Sequence, residues 1–327
     1  MARMVRREAV MGTAASVPSV DAASDKKRPT KLFGFDVSGR IGSGAGSAIY
    51  SVTDPVMGRR VALKHVIIKT SKHHRLIEQL RTEMQCGSSV MHAGLRKSIE
   101  LKFRRNMFFQ IQEAGLVLEL VDGIPLERRP LEGLVETVGT FIQVGQALGA
   151  LHAAGWVHCD LKPNNILKDD TGHVKVIDLG QAARIGTIKQ RIQGTPDYMA
   201  PEQLMRKPVT VQTDVFNFGA TMYWALCGRP LPTLYNIGKS KNSFLFDRMM
   251  STPHDHNPVI PEQLSNLVME CVRTKPNKRP QDMPELIRHL EVIEYVLKKK
   301  SGSLPPAEPA PPPSTKGTPS SPPAKGV

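Results

Sequence analysis

Cysteine is scarce in this chain. The four present among 327 residues, Cys86, Cys159, Cys227 and Cys271, share no CxxC or other metal-ligand spacing. That pattern argues against a disulfide scaffold and a structural zinc site, and for inert thiols in a reducing compartment. Also missing is an apolar run long enough to cross a bilayer, and the opening Met1-Ala2-Arg3-Met4-Val5-Arg6-Arg7 lacks the apolar core of a secretory signal. The expectation is a cytoplasmic protein without a transmembrane segment. No internal repeat is apparent.

Acidic residues are outnumbered: 44 Lys and Arg face 30 Asp and Glu, a net charge of +14. Residues 1–31 hold seven cations and three anions (+4), and residues 301–327 hold two and one (+1), which leaves +9 for residues 32–300. The excess therefore belongs mainly to the folded part. A solvated basic surface accounts for it, and no motif with interleaved aromatics marks a specific nucleic-acid partner.

What is present divides the chain into three. Residues 1–31, rich in Ala, Ser, Lys and Arg without apolar periodicity, read as a disordered basic leader. Residues 301–327, dominated by Pro, Ser and Thr, read as a disordered tail. Between them, residues 33–120 show short strand-like runs (34–40, 48–53, 60–68, 107–111 and 115–120) and one polar helical segment from Ser71 to about Cys86. From Leu131 onward apolar residues recur at helical spacing, over 138–152, 214–226, 263–272 and 283–297. The expected fold is α+β: a small β-rich lobe (about 32–118) with one main helix, and a larger, mainly helical lobe (about 122–300).

The stretch His158-Cys159-Asp160-Leu161-Lys162-Pro163-Asn164-Asn165, then Asp178-Leu179-Gly180 and Ala200-Pro201-Glu202, carries the chemistry. Asp160 suits the proton of an attacking hydroxyl, Lys162 suits charge on a moving phosphate, and the hard oxygens of Asn165 and Asp178 suit Mg2+. These residues resemble the eukaryotic-like (Hanks-type) protein kinases, in the Ser/Thr branch and of bacterial type, over roughly residues 33–297. The resemblance implies ATP and Mg2+ as cofactors and Ser or Thr hydroxyls of protein substrates as acceptors.

Further residues fit that resemblance. Gly42-Ser43-Gly44-Ala45-Gly46, between two strand-like runs, matches a phosphate-covering loop, with Ser47 in place of the third glycine. Ile41, Ile49 and Ala62 above, Leu167 below, and the hinge residues Glu119 and Val121, after Leu118, would hold the adenine. Val61-Ala62-Leu63-Lys64 matches the strand that carries the phosphate-gripping lysine, Lys64. Glu78 and Glu83 compete as its partner, and spacing favours Glu83. Glu202 with Arg279, and Asp214 beneath the catalytic loop, match structural anchors; this set separates protein kinases from small-molecule kinases.

Two departures stand out. Cys159 replaces the arginine that, in the family, often receives an activation-loop phosphate; cysteine has neither its charge nor its bidentate fork. The resemblance is therefore to kinases that do not need that phosphate, and modification of Thr187 should tune activity weakly. Leu179 replaces the commoner Phe and keeps an apolar plug. The competing reading, a nucleotide-binding pseudokinase scaffold, takes Cys159 and Ser47 as early signs of decay, although no metal ligand is lost.

Overall fold

The computed structural model describes residues 29–44, 46–70, 73–232 and 250–302. Most of the expected leader and tail, together with Ala45 and Ser71, lie outside the described residues.

A six-stranded antiparallel sheet forms the small lobe: β1 (Lys31–Leu32), β2 (Phe35–Gly44), β3 (Ser47–Thr53), β4 (Arg60–Ile67), β5 (Ser98–Arg105) and β6 (Ile111–Leu118), in the order β1-β2-β3-β4-β6-β5. Strand β4 is apolar on both faces because both are covered. Ala62 and Val66 join Leu76 and Leu80 of helix α1 (His74–Ser89), while Val61 and Leu63 join Leu32, Phe35 and Val52 on the other side. By the two-residue period of a strand, Lys64 falls on the face that α1 covers. Helix α1 approaches β5 closely at Gly87, where an added Cβ would sit 2.4 Å from Ser98 Oγ. Ser98 Oγ in turn donates to the Glu83 carbonyl at 2.9 Å.

One strand expectation is corrected here. Residues 107–110 are not in a strand: Asn106 to Gln110 form the turn between β5 and β6, the preceding strand is Ser98–Arg105, and of the expected run only Ile111 is in a strand, as the first residue of β6. Apolar density drew the reading to Met107-Phe108-Phe109, although the two-residue alternation lies in Ile99, Leu101 and Phe103. The turn forms because the Asn106 side-chain oxygen accepts from the backbone N–H of Phe108 (2.9 Å) and of Gln110 (3.0 Å).

In the large lobe, α2 (Leu134–Ala153), α3 (Pro201–Leu204), α4 (Val211–Cys227), α5 (Pro253–His256), α6 (Glu262–Cys271) and α7 (Met283–Lys300) surround one core. Phe141 of α2 meets Phe218 of α4 edge to face, ring centres 5.2 Å apart. Against the expectation of no membrane-length apolar segment, α2 is long and apolar enough to cross a bilayer by length and composition alone; over half of it is buried inside the lobe. Two small sheets frame the site: β7 (Ile124–Pro125), β9 (Ile166–Lys168) and β10 (Val174–Val176) in the order β10-β9-β7, and β8 (Trp156–Val157) paired with β11 (Ala183–Arg184). The loop between β8 and β9 holds Asp160 to Asn165, and Asp178 follows β10.

Candidate active site

Lys64 reaches across the junction of the lobes. Its Nζ lies 2.7 Å from Glu83 Oε2 and 2.7 Å from Asp178 Oδ1. Glu83 is buried on the inner face of α1, whereas Glu78 is exposed on the outer one, so the helix's 3.6-residue period selects the partner. Arg96 Nη2 stands 3.9 Å from the other Glu83 oxygen. Burial works against charge on both Lys64 and Asp178, but their mutual attraction prevails: Asp178 stays well below the usual carboxylate range and Lys64 well above the usual ammonium one. The Asp178 side chain remains 41% exposed, so a hard-oxygen acceptor still faces the cleft. Its backbone is left-handed (φ 63°), which turns the chain out of β10 and sends Leu179 into the core beside Cys86 and Leu95.

The catalytic loop is hung from below. Asp214, fully buried in the first turn of α4, accepts from the backbone N–H of His158 (2.7 Å) and of Cys159 (2.9 Å) and pairs with His152 Nε2 (2.8 Å). Burial would raise its pKa, yet these donors hold the carboxyl below its ordinary value. Cys159 takes a left-handed conformation (φ 64°) and is 1% exposed, so its thiol points inward, 3.6 Å from the Val157 carbonyl. Burial pushes that thiol up to about 12, with the nearby Lys189 ammonium working against the rise.

Around Asp160 a compact polar cluster forms. Its Oδ1 accepts from the backbone N–H (3.0 Å) and the hydroxyl (3.2 Å) of Thr195, and its Oδ2 lies 3.2 Å from Lys162 Nζ. Lys162 also donates to Thr195 Oγ1 at 2.7 Å. Asn165 Nδ2 donates to the Asp160 carbonyl at 2.8 Å, which commits the amide end and leaves Oδ1 free to act as a ligand. The activation segment is thereby stitched to the catalytic loop through Thr195.

Of the glycine loop, β2 pairs with β3 as Gly42↔Ile49, Ser43↔Ala48 and Gly44↔Ser47. Gly46 has φ 91°, a backbone conformation that favours glycine, and an added Cβ would also displace the tip of Leu76 of α1, 2.8 Å away. Ala62 and Leu118 are fully buried, Leu167 nearly so, and Ile49 partly, while Ile41 is 46% exposed. Glu119 is fixed at the hinge: its backbone N–H donates to the Lys97 carbonyl, and its carboxylate accepts from the Lys97 backbone (3.1 Å) and from Lys175 Nζ (2.5 Å). A cavity of about 530 Å3 shares Glu119, Val121 and Leu167 with this set, together with His92 and Gln143, but includes no catalytic residue.

The activation segment ends in a buried ion pair. Arg279 Nη1 and Nη2 meet Glu202 Oε1 (2.8 Å) and Oε2 (3.0 Å), both side chains almost wholly buried. Sequence reasoning named this pair but missed Lys189, Arg96 and His152. A cation eleven residues after Asp178, in a chain whose catalytic loop has lost its arginine, was the available signal for Lys189. Its Nζ donates to the Gln181 carbonyl.

The donor set fits Mg2+ and a nucleotide: a half-exposed carboxylate, a carboxamide oxygen left free by its own amide, and a cleft-facing ammonium. Among the described residues no cluster of three or more His, Cys, Asp or Glu could hold a metal by itself. This suits an ion that takes one or two protein ligands and completes its shell with phosphate and water.

The model of the protein kinase domain family matches residues 35–290. Among curated proteins, the chain is 29% identical to the DNA damage-responsive serine/threonine-protein kinase RqkA of Deinococcus radiodurans, covering 76% of this chain and 37% of that one. It is 30% identical to the serine/threonine-protein kinase PknA of Mycobacterium tuberculosis (81% and 58%) and 31% identical to the probable serine/threonine-protein kinase PknB of Corynebacterium glutamicum (60% and 32%). The chain thus spans between a third and three fifths of the length of these relatives. It belongs to the protein kinase domain family, in the Hanks-type Ser/Thr branch found in bacteria.

Proposed function

We propose that this protein transfers the γ-phosphate of Mg-ATP to Ser and Thr hydroxyls of protein substrates, and does so without phosphorylation of its activation segment. The observation that carries the reading is the joined constellation: Lys64 between Glu83 and Asp178, and Asp160 bound to both Lys162 and Thr195. When bound, Mg-ATP supplies the transferable phosphoryl group and the counter-charge of the metal. Asp178 and Asn165 would hold the ion, and Lys64 with the amides of Gly42, Ser43, Gly44 and Gly46 would hold phosphate oxygens. The Asp160 carboxylate orients the substrate hydroxyl and accepts its proton, while Lys162 offsets charge that builds on the reacting oxygens. Thr195 occupies the position from which a Ser or Thr acceptor is registered against Asp160.

Independence from phosphate rests on what replaces it. With Cys159 buried and inert, Lys189 ties the activation segment to the Gln181 carbonyl, and Thr195 ties it to Asp160. Both fastenings are in place with an unmodified Thr187, which is exposed and joined only through its backbone to Arg184 and Val209. Four free cysteines, three of them buried, accord with a cytoplasmic setting. The test is transfer from Mg-ATP to a generic Ser/Thr protein by phosphatase-treated protein and by Thr187→Ala. Both should retain activity within about threefold, with phosphoserine and phosphothreonine as the products. Loss of most activity in Thr187→Ala, or phosphotyrosine as the main product, contradicts the reading.

A further inference from the structure

The β5–β6 turn is built to present apolar side chains to the outside. Asn106 organises it: its backbone N–H donates to the Gln110 carbonyl (2.9 Å), its carbonyl accepts from Phe109 N–H (3.0 Å), and its amide donates to Gln110 Oε1 (3.1 Å). Arg105 Nη1 closes the turn on the Phe109 carbonyl at 2.8 Å. Phe109 is held at φ 58°, a conformation that bulky residues rarely adopt. The product is three consecutive large apolar side chains, Met107, Phe108 and Phe109, which are 84%, 74% and 79% exposed. Isolated exposed apolar residues are ordinary, but a contiguous, rigidly presented set marks an interaction site.

The surroundings are cationic. Arg105 and Arg81 both lie over the Phe103 ring, at 5.9 and 5.2 Å from its centre. Among the described residues neither has a carboxylate within ion-pair distance, whereas Arg104 pairs with Glu113 at 3.0 Å and Lys102 with Glu100 at 2.9 Å. The lobe as a whole is lopsided: residues 32–118 contain thirteen Lys and Arg against six Asp and Glu, so +7 of the +9 carried by residues 32–300 belongs to the small lobe. The other end of the β5–β6 hairpin, where Ser98 pairs with Leu118, leads into the hinge at Glu119, so the turn lies at the end of the hairpin far from the hinge.

We infer that this turn is a preformed wedge that seats the small lobe on an anionic lipid surface. Three side chains at a turn tip offer roughly 500 Å2, estimated from about 150–250 Å2 for a large side chain. That is below the ~800 Å2 per partner of a stable protein interface. A bilayer needs no complementary groove, accepts Phe and Met at the headgroup boundary, and gains about fivefold in affinity for each cation near an anionic leaflet. The charge of the lobe complements such a surface.

The test uses the full chain with phosphatidylcholine vesicles, alone or mixed with phosphatidylglycerol, in co-sedimentation at low and physiological salt. The expected result is binding to the mixed vesicles only. Met107→Ser/Phe108→Ser should lower it at least tenfold, and Arg81→Gln/Arg105→Gln at least fivefold, while phosphotransfer to a soluble substrate is unchanged, which shows that the fold is intact. A Phe108→Trp variant, read against the wild-type background, should shift its emission to the blue on adding mixed vesicles. Absence of wild-type binding overturns the inference and leaves the tip as a protein-docking element. Equal binding by the Met107→Ser/Phe108→Ser variant also overturns it, assigning attachment to diffuse charge, as does unshifted emission from the Phe108→Trp variant.

Discussion

Replacing Arg279 by Met should cost this protein a large part of its stability. The guanidinium is spent entirely on buried or part-buried partners: both Glu202 oxygens, the Arg273 carbonyl through Nε (2.7 Å), the Gln212 carbonyl (2.7 Å) and the Thr274 carbonyl (3.3 Å), with the Phe216 ring 5.0 Å from its carbon. Methionine approximates the stem but leaves Glu202 charged, buried and held only by the Thr213 hydroxyl at 2.9 Å. Stranding one member of a buried pair costs about 3–5 kcal/mol, against a typical domain stability of about 5–15 kcal/mol. Removing both charges in Arg279→Met/Glu202→Leu should cost less than the sum of the single changes, with a coupling of about 2 kcal/mol or more. Urea unfolding followed by the fluorescence of Trp156 and Trp224 gives the cycle. A loss below about 1 kcal/mol for Arg279→Met, or strict additivity, would refute the claim that this pair anchors the activation segment.

Other consequences can be checked as directly. Lys189→Met should lower kcat/KM about tenfold by freeing the segment from Gln181, since a hydrogen bond from a charged donor contributes about 1.5–3 kcal/mol; an unchanged rate would show that Thr195 suffices alone. Gly46→Ala forces a left-handed φ on alanine and a contact with Leu76, so the KM for ATP should rise several-fold with kcat little altered; an unaltered KM would mean that the loop tip plays no part. Burial pushes the Cys86 and Cys159 thiols up to about 12 from an ordinary value near 9. Because the folded value is the higher one, this stabilisation is complete below pH 9 and is lost as pH rises toward 12, at up to about 1.4 kcal/mol per pH unit for each thiol. The fall of the urea midpoint between pH 9 and 10.5 should be shallower in Cys159→Ala; parallel slopes would contradict the assignment.

The sequence was most informative where chemistry demands particular residue types in a particular order. Lys64, Asp160, Lys162, Asn165 and Asp178 could be singled out without coordinates, and the structure pairs Lys64 with Asp178 and sets Lys162 and Asn165 against Asp160. The choice of Glu83 over Glu78 was open to spacing because its distances from Lys64 and from His92-Ala93-Gly94-Leu95 resemble the family pattern. Asp214 and Arg279 were also legible, through their match to the structural anchors of the protein kinase pattern, and the structure buries both with the partners that buried charges need. Local pattern failed at the β5–β6 turn, where Met107-Phe108-Phe109 has the apolarity of a core strand but is held outside by Asn106. Nor does a single chain show where a flexible cation will land, so Lys189 escaped notice until the fold placed it against Gln181 and beside Cys159. Helix α2 shows a related limit: composition alone does not separate a buried core helix from a membrane span.

The central claim is that Asp160 performs phosphoryl transfer in an intact site. It is tested most directly by measuring, side by side, Mg-ATP affinity and γ-phosphate transfer to a Ser/Thr substrate for the wild type and Asp160→Asn. The variant keeps the shape of the side chain and can still accept from Thr195, but has no carboxylate to take a proton. The account predicts similar nucleotide affinity and a fall in transfer of at least about a hundredfold, within the range general-base catalysis contributes. Tight Mg-ATP binding with no transfer by the wild type, or equal transfer by both proteins, would contradict it, the first outcome favouring a nucleotide-binding scaffold.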